Sequence, residues 1–147
     1  MLPWRHILLA IDFSPSSDTA TDAAVELAQK FEAKLTLVHV WEVPPYVYSG
    51  ETFSGADLMT PIHAAAEKAL RDALLSVQKK VPQAEGLLRQ GAPAVELVAQ
   101  INESKADLVI LGTHGRRGIS HFVLGSVAEQ VVQQAPVPVL TLHANRQ

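Results

Sequence analysis

Short apolar runs, separated by stretches of helical periodicity, constrain the fold of this chain more than any other feature. The runs cover residues 7–11, 35–41, 107–111 and 137–142, and a weaker one covers residues 84–90. Runs of this length, bounded by turn residues, are typical of strands that are buried on both faces of a sheet. Strands that alternate with helices favour right-handed crossovers and a parallel sheet with helices on both faces.

The segments between the runs predict the helices. Residues 19–31 carry Ala20, Leu27 and Phe31 at helical spacing. A second helix is predicted to begin near Thr60, as the cap, with Pro61 at its first position. Residues 42–60 have no periodicity and predict a flexible loop. The whole chain, residues 1–147, is thus predicted to form one open five-stranded α/β domain.

Composition narrows the class of protein. Apolar residues make up 48% of the 147 and charged residues 18%, which is enough for a packed core. The chain has no cysteine, so it forms no disulfide and no thiolate metal site, and we expect a cytoplasmic protein. The net charge of −3 argues against a general nucleic-acid binder. No apolar run approaches the roughly 18 residues of a membrane span, and the N-terminus does not resemble a signal peptide.

A glycine-rich segment after the fourth strand carries the strongest functional signal. Its pattern is Gly112-x2-Gly115-x9-Gly125-Ser126, and Ser126 opens the next helix. In open parallel sheets, ligands bind at the carboxyl ends of the strands. Glycines allow close backbone approach, and a helix N-terminus favours phosphate. The pattern therefore predicts an anion cradle, to which two arginines add charge, Arg116 and Arg117.

Local chemistry leaves two alternatives open. Ser126 and Glu129 also fit a capping box, in which both side chains cap the helix and bind no ligand. Asp12 ends the first strand and could accept hydrogen bonds from a ribose or adenine, or face a metal. It could equally cap the following turn through Ser14 or Ser16. The P-loop pattern and the dinucleotide-binding glycine pattern are both absent from the sequence.

At these residues the chain resembles the universal stress protein family, from residue 7 to residue 142. The segment from Gly112 to Ser126 matches the family's ATP-binding signature G-2x-G-9x-G-[ST] at every fixed position. Four further segments resemble the family: residues 7–14, the His39-Val40 end of the second strand, the turn at residues 91–93 and the finish at residues 136–140.

The resemblance implies a sheet of order 3-2-1-4-5 that binds ATP with a divalent ion, Mg²⁺ or Mn²⁺. It implies that Asp12 meets the ribose or adenine, that the backbone of Val40 bonds the adenine, and that the glycine segment holds ribose and phosphates. The predicted site therefore comprises Ala10, Asp12, Val40, Leu111, Gly112, His114, Gly115, Arg116, Arg117, Gly125, Ser126 and Val127.

The resemblance also implies a homodimer through the last strand, in which Pro136 and Pro138 flank Val137 and the run ends at Leu142. Prolines cannot donate to a sheet ladder, so this strand is predicted to lie at an edge, or to have its free side against something other than a strand of the same sheet.

No set of residues in the sequence forms a recognisable catalytic group. His114 and His121 lie in the glycine-rich segment without a paired acid or base, and the remaining histidines, His143 among them, follow no metal-ligand spacing. We therefore expect a nucleotide-dependent regulatory protein in the stress response. The alternatives are slow ATP hydrolysis or self-phosphorylation, with Ser126 as an acceptor, and a structural dimer that binds no nucleotide. The sequence identifies no downstream protein partner.

Overall fold

Five parallel strands form one sheet through the part of the chain that the structure describes. The computed structural model describes residues 4–43, 55–113 and 124–144, with the backbone alone for residues 55–58. The strand order is β3-β2-β1-β4-β5, and every neighbouring pair is parallel. This confirms the predicted fold class and strand order. The strands are β1 (His6–Ala10), β2 (Lys34–Trp41), β3 (Glu85–Gln90), β4 (Leu108–Gly112) and β5 (Val139–Leu142).

Helices cover both faces of the sheet. They are α1 (Pro15–Phe31), α2 (Gly55–Gln78), α3 (Pro93–Glu103) and α4 (Ser126–Gln134). Alternate strand residues feed two cores: Leu9 and Ile110 pack with α1 and α2, whereas Leu8 and Val109 pack with α3 and α4. All four of these side chains are fully buried. Each strand is therefore apolar in both directions, which is why the runs show no alternation. Within the described residues, no helix combines the length and apolarity that crossing a membrane requires.

Helix α1 begins four residues earlier than its apolar spacing predicts. It starts at Pro15 rather than Thr19, and Ser14 is the N-cap. The Ser14 hydroxyl oxygen accepts a hydrogen bond from the N–H of Ser17 at 3.3 Å. Serine at the cap and proline at the first helical position are both start signals, and here they outweigh the apolar periodicity.

The predicted start of α2 is wrong. The helix begins at Gly55, and Pro61 lies inside it rather than at its first position. Proline in a helix interior removes one backbone hydrogen bond, but the residues before it include types of high helix propensity, such as Met59. The predicted loop over residues 42–60 is therefore wrong for residues 55–60. Residues 44–54 of that prediction lie outside the described residues.

Strand β5 lies at the edge of the sheet, as the prolines predicted, and pairs with β4. It begins at Val139, two residues later than predicted. Pro138 has no N–H to donate, although its carbonyl oxygen accepts from the N–H of Val109 at 3.0 Å. The other four strands agree with the prediction to within one residue at each end.

Candidate functional site

A cavity of about 190 Å³ lies at the carboxyl ends of β1, β2 and β4. It sits where the strand order reverses, because the chain runs outward from β1 to β2 on one side and from β4 to β5 on the other. Open α/β sheets bind their ligands at this position. The cavity is lined by Ala10, Ile11, Asp12, Val38, Val40, Pro93, Leu97, Leu111, Gly112, Thr113, Gly125, Ser126, Val127 and Ala128.

Every predicted site residue that the structure describes lines this cavity. The remaining predicted residues, His114, Gly115, Arg116 and Arg117, lie outside the described residues, as does His121. Six lining residues were not predicted from the sequence, although the strand period marks one of them. Val38 lies two residues before Val40 on the same face of β2. The other five are Ile11, Pro93, Leu97, Thr113 and Ala128.

The walls of the cavity are mostly aliphatic. Val38 and Val40 of β2 face Leu111 of β4, and Leu97 of α3 closes the side between them. Among the described lining residues, Asp12 is the one charged side chain. Apolar walls with a few placed polar groups are the usual make-up of a small-molecule site.

The N-terminus of α4 opens into the cavity. Gly125 is the N-cap residue, with an extended backbone, and Ser126 is the first residue of the helix. The interpretation of Ser126 and Glu129 as a capping box is therefore wrong, because a capping box needs Ser126 at the N-cap. Since a glycine cap has no side chain, no cap side chain accepts from the N–H groups of the first turn. These N–H groups and the helix dipole favour an anion.

Asp12 caps the turn that starts α1. One of its carboxylate oxygens accepts from the backbone N–H of Ser14 at 3.0 Å and from the Ser14 hydroxyl at 2.5 Å. Its own N–H donates to the hydroxyl oxygen of Ser17 at 3.1 Å. Phe13, between Asp12 and Ser14, adopts a left-handed backbone conformation with φ of 65°. The alternative in which Asp12 caps this turn through Ser14 is thus confirmed. The side chain of Asp12 also lines the cavity.

Gly112 is required by packing between β4 and α1. A Cβ atom at this position would lie 2.7 Å from the carbonyl carbon of Ser16 and 2.8 Å from the backbone nitrogen of Ser17. The end of β4 therefore touches the first turn of α1. The sequence pattern predicts close approach of a ligand at this glycine, whereas the structure shows close approach of helix α1.

Thr113 connects β4, β5 and α4. Its N–H donates to the carbonyl oxygen of Leu142 at 2.9 Å, and its own carbonyl oxygen accepts from the N–H of Gly125 at 2.5 Å. Its hydroxyl lies 3.1 Å from Nδ1 of His143. From the sequence, His143 is predicted to be an ordinary surface or interface residue. The structure instead places it against a residue that lines the cavity.

Helix α3 is held in place by Arg89 at the end of β3. The guanidinium donates to Glu96 at 2.9 Å and 3.2 Å, to Gln100 at 2.7 Å and to Glu103 at 3.0 Å. Hydrogen bonds to Glu103 and Glu96 raise the pKa of Arg89 above its ordinary value. The turn into α3 passes through Gly91, whose φ of 142° favours glycine. The wall that α3 contributes to the cavity is therefore anchored to the sheet.

An open parallel sheet of this order, with a cavity at its switch point, defines a doubly wound α/β protein whose ligand site lies beyond the strand ends. Within that class the chain belongs to the universal stress protein family, whose sequence profile matches residues 3–143.

Known proteins of this family resemble the chain over nearly its full length. A Thermus aquaticus protein, described as the universal stress protein in the QAH/OAS sulfhydrylase 3′ region, is 37% identical over 138 residues, which cover 93% of this chain and 97% of that protein. The structure of universal stress protein UspA from Lactobacillus plantarum superimposes with a TM-score of 0.82 at 24% identity, covering 97% of this chain and 99% of that one. A universal stress protein in complex with cAMP superimposes with a TM-score of 0.68 at 26% identity, covering 97% and 98%.

Proposed function

We propose that this chain binds ATP in the cavity at the switch point and acts as a nucleotide-dependent regulatory protein. The observation that carries the proposal is the junction of aliphatic walls with the glycine-capped N-terminus of α4 in one cavity. A planar base fits between the aliphatic walls, and phosphate fits at the N-terminus of α4.

Each end of the nucleotide has a matching set of described residues. We propose that the adenine lies between Val40, Leu97 and Leu111, with the backbone of Val40 as its hydrogen-bond partner. The carboxylate of Asp12 would accept from the ribose hydroxyls, because a charged acceptor strengthens such bonds. The phosphates would meet the N–H groups at Ser126 and Val127. The similar protein with bound cAMP supports an adenine ligand.

A divalent cation would enter together with the phosphates. In the described part of the chain, no cluster of three His, Cys, Asp or Glu side chains is placed to hold a metal ion. Mg²⁺ commonly takes most of its ligands from substrate phosphates and water, so one nearby carboxylate is compatible with it. We therefore propose Mg²⁺ or Mn²⁺ as a partner of bound ATP, neutralising phosphate charge.

We favour a regulatory role over efficient catalysis. Phosphoryl transfer needs a positioned base and cationic groups at the transferred phosphate. The described residues of the cavity supply aliphatic walls, backbone N–H groups and Asp12, which suit binding. Product analysis after prolonged incubation with ATP separates slow hydrolysis or phosphorylation of Ser126 from binding alone.

Calorimetric titration tests the nucleotide site. We expect saturable binding of about one ATP per chain with Mg²⁺, and weaker binding of GTP, because guanine presents different donors and acceptors at the edge of the base. AMP should bind more weakly than ATP because it lacks the β- and γ-phosphates and so offers fewer phosphate oxygens to the N–H groups of α4. Absence of heat, together with an unchanged melting temperature in millimolar ATP, would contradict the proposal and support a dimer without nucleotide.

We also propose that two copies pair through β5. The strand lies at the sheet edge, and Leu140 on β5 and Val132 on α4 are 37% and 46% exposed. Antiparallel pairing of two β5 strands about a two-fold axis would cover this edge and bury both side chains.

Replacing Leu140 tests this dimer. We expect the wild type to sediment at twice the 15.9 kDa chain mass, and Leu140→Lys to dissociate because it places a charge in the interface. The dimer should weaken roughly ten-fold or more, about 1.4 kcal/mol. Leu75→Lys is the control, since Leu75 is 56% exposed on α2, outside β5. A monomeric wild type, or a Leu140→Lys dimer of unchanged strength, would refute the interface.

A further inference from the structure

One chain of hydrogen bonds leads from the surface at the end of β5 to the N-terminus of α4. His143 is exposed, and its Nδ1 lies 3.1 Å from the hydroxyl of Thr113. Thr113 is 1% exposed. Its carbonyl oxygen accepts from the N–H of Gly125, the N-cap residue of α4. His143 thus reaches the proposed phosphate end of the cavity through a single intervening residue.

The hydroxyl of Thr113 depends on this contact. A buried hydroxyl needs a hydrogen-bond partner, since leaving it unpaired costs its full desolvation penalty. Nδ1 of His143 satisfies it in either direction, by accepting from the hydroxyl or by donating to it. The backbone of Thr113 is meanwhile held on both sides, by Leu142 and Gly125. The histidine therefore fixes the side chain of a residue whose backbone sets the start of α4.

We propose that His143 is a positioning residue for the nucleotide site: through Thr113 it holds the N-terminus of α4 where its N–H groups meet phosphate. This inference rests on the proposed binding of ATP. His143 is not among the residues that line the cavity, so it would make no direct contact with the base. Loss of His143 should therefore weaken the binding of ATP, which has three phosphates to meet α4, more than that of AMP. AMP has one phosphate, and its base and ribose would account for most of its contacts.

Four substitutions distinguish the effect of losing the hydrogen bond from the effect of changing the side chains that form it. His143→Ala and Thr113→Val remove it from either end, whereas His143→Asn and Thr113→Ser keep a polar group at each position. Calorimetry with Mg²⁺ would give Kd for ATP and for AMP with each variant. We expect His143→Ala and Thr113→Val each to raise Kd for ATP roughly five-fold, which corresponds to the loss of about one hydrogen bond. Kd for AMP should rise less than about two-fold. The double variant His143→Ala/Thr113→Val should be no weaker than either alone, because both remove the same bond.

The opposite end of the sheet provides a matched control. There, Nε2 of His6 lies 2.9 Å from the hydroxyl of Thr36, which is 4% exposed. His6→Ala and Thr36→Val break a bond of the same chemistry at the amino ends of β1 and β2, away from the cavity. Either variant is expected to melt at a lower temperature and to keep the wild-type ratio of ATP to AMP affinity.

The outcomes distinguish this inference from the function it rests on. A selective loss of ATP affinity in His143→Ala, restored by His143→Asn, would establish the positioning role. An unchanged ratio of ATP to AMP affinity in His143→Ala, with wild-type protein that binds ATP, would overturn the inference and leave the proposed function intact. Equal weakening of both nucleotides together with a lower melting temperature would make His143 a merely structural residue. A wild type that binds neither nucleotide would overturn both proposals.

Discussion

Gly112→Ala is expected to destabilise the protein by about 3 kcal/mol, near the upper end of the cost of overpacking a core. The added Cβ would lie 2.7 Å and 2.8 Å from backbone atoms of Ser16 and Ser17. Backbone in the first turn of a helix cannot rotate away as a flexible side chain can. Relief therefore requires α1 to move away from β4, which would also shift the turn that Asp12 caps.

Urea unfolding of Gly112→Ala and Gly86→Ala measures this effect against a matched control. Both glycines lie in strands, but a Cβ at Gly86 would meet the side-chain tip of Leu74 at 3.2 Å, which can give way. We expect the unfolding midpoint to fall strongly for Gly112→Ala and to change little for Gly86→Ala. Equal stability of the two variants would show that α1 adapts freely, and the packing explanation for Gly112 would be wrong.

Asp12→Asn is expected to reduce ATP affinity by roughly ten-fold to a hundred-fold while leaving the fold nearly as stable as the wild type. The loss follows because hydrogen bonds to a charged group contribute about 1.5–3 kcal/mol, and the amide removes the charge. The amide oxygen can still accept from the N–H of Ser14, so the cap survives. Asp12→Ala removes both functions, and its lost cap should cost a further 1 kcal/mol or so of stability.

Calorimetry and urea unfolding on the same variants separate the two roles of Asp12. Asp18→Asn is the control, because Asp18 is exposed in the first turn of α1 and does not line the cavity, although the charge change is identical. We expect Asp18→Asn to bind ATP as the wild type does. If Asp12→Asn also binds ATP with wild-type affinity, Asp12 is a structural cap and the proposed ribose contact is wrong.

Most of the fold could be predicted because burial leaves a direct mark on composition. A strand covered on both faces must be apolar throughout, so each run shows where a strand lies, and the prolines around Val137 place β5 at the edge. Helix starts were less predictable. The N-cap signal of Ser14 and Pro15 competed with apolar spacing in α1, and Pro61 proved compatible with a helix interior in α2.

Some residues of the candidate site could likewise be predicted from the sequence, and others could not. Asp12, Val40 and Gly112 could be predicted because strand ends meet at one edge of a parallel sheet, whatever the lengths of the crossovers. Leu97 and Thr113 could not be predicted as easily. Leu97 lies on a helix, and its wall depends on how Arg89 anchors α3. Thr113 depends on a contact with His143, thirty residues along the chain.

By itself, the sequence determined the order of strands and helices, the edge position of β5 and the strand ends that face the cavity, because these follow from local burial and chain direction. Only the tertiary structure decided what each polar or small residue touches. In the structure, Gly112 packs against α1, and Asp12 caps the turn before α1 as well as lining the cavity. The buried hydroxyl of Thr113 contacts His143. These contacts join residues from separate elements, and their geometry exists only once the helices have packed on the sheet.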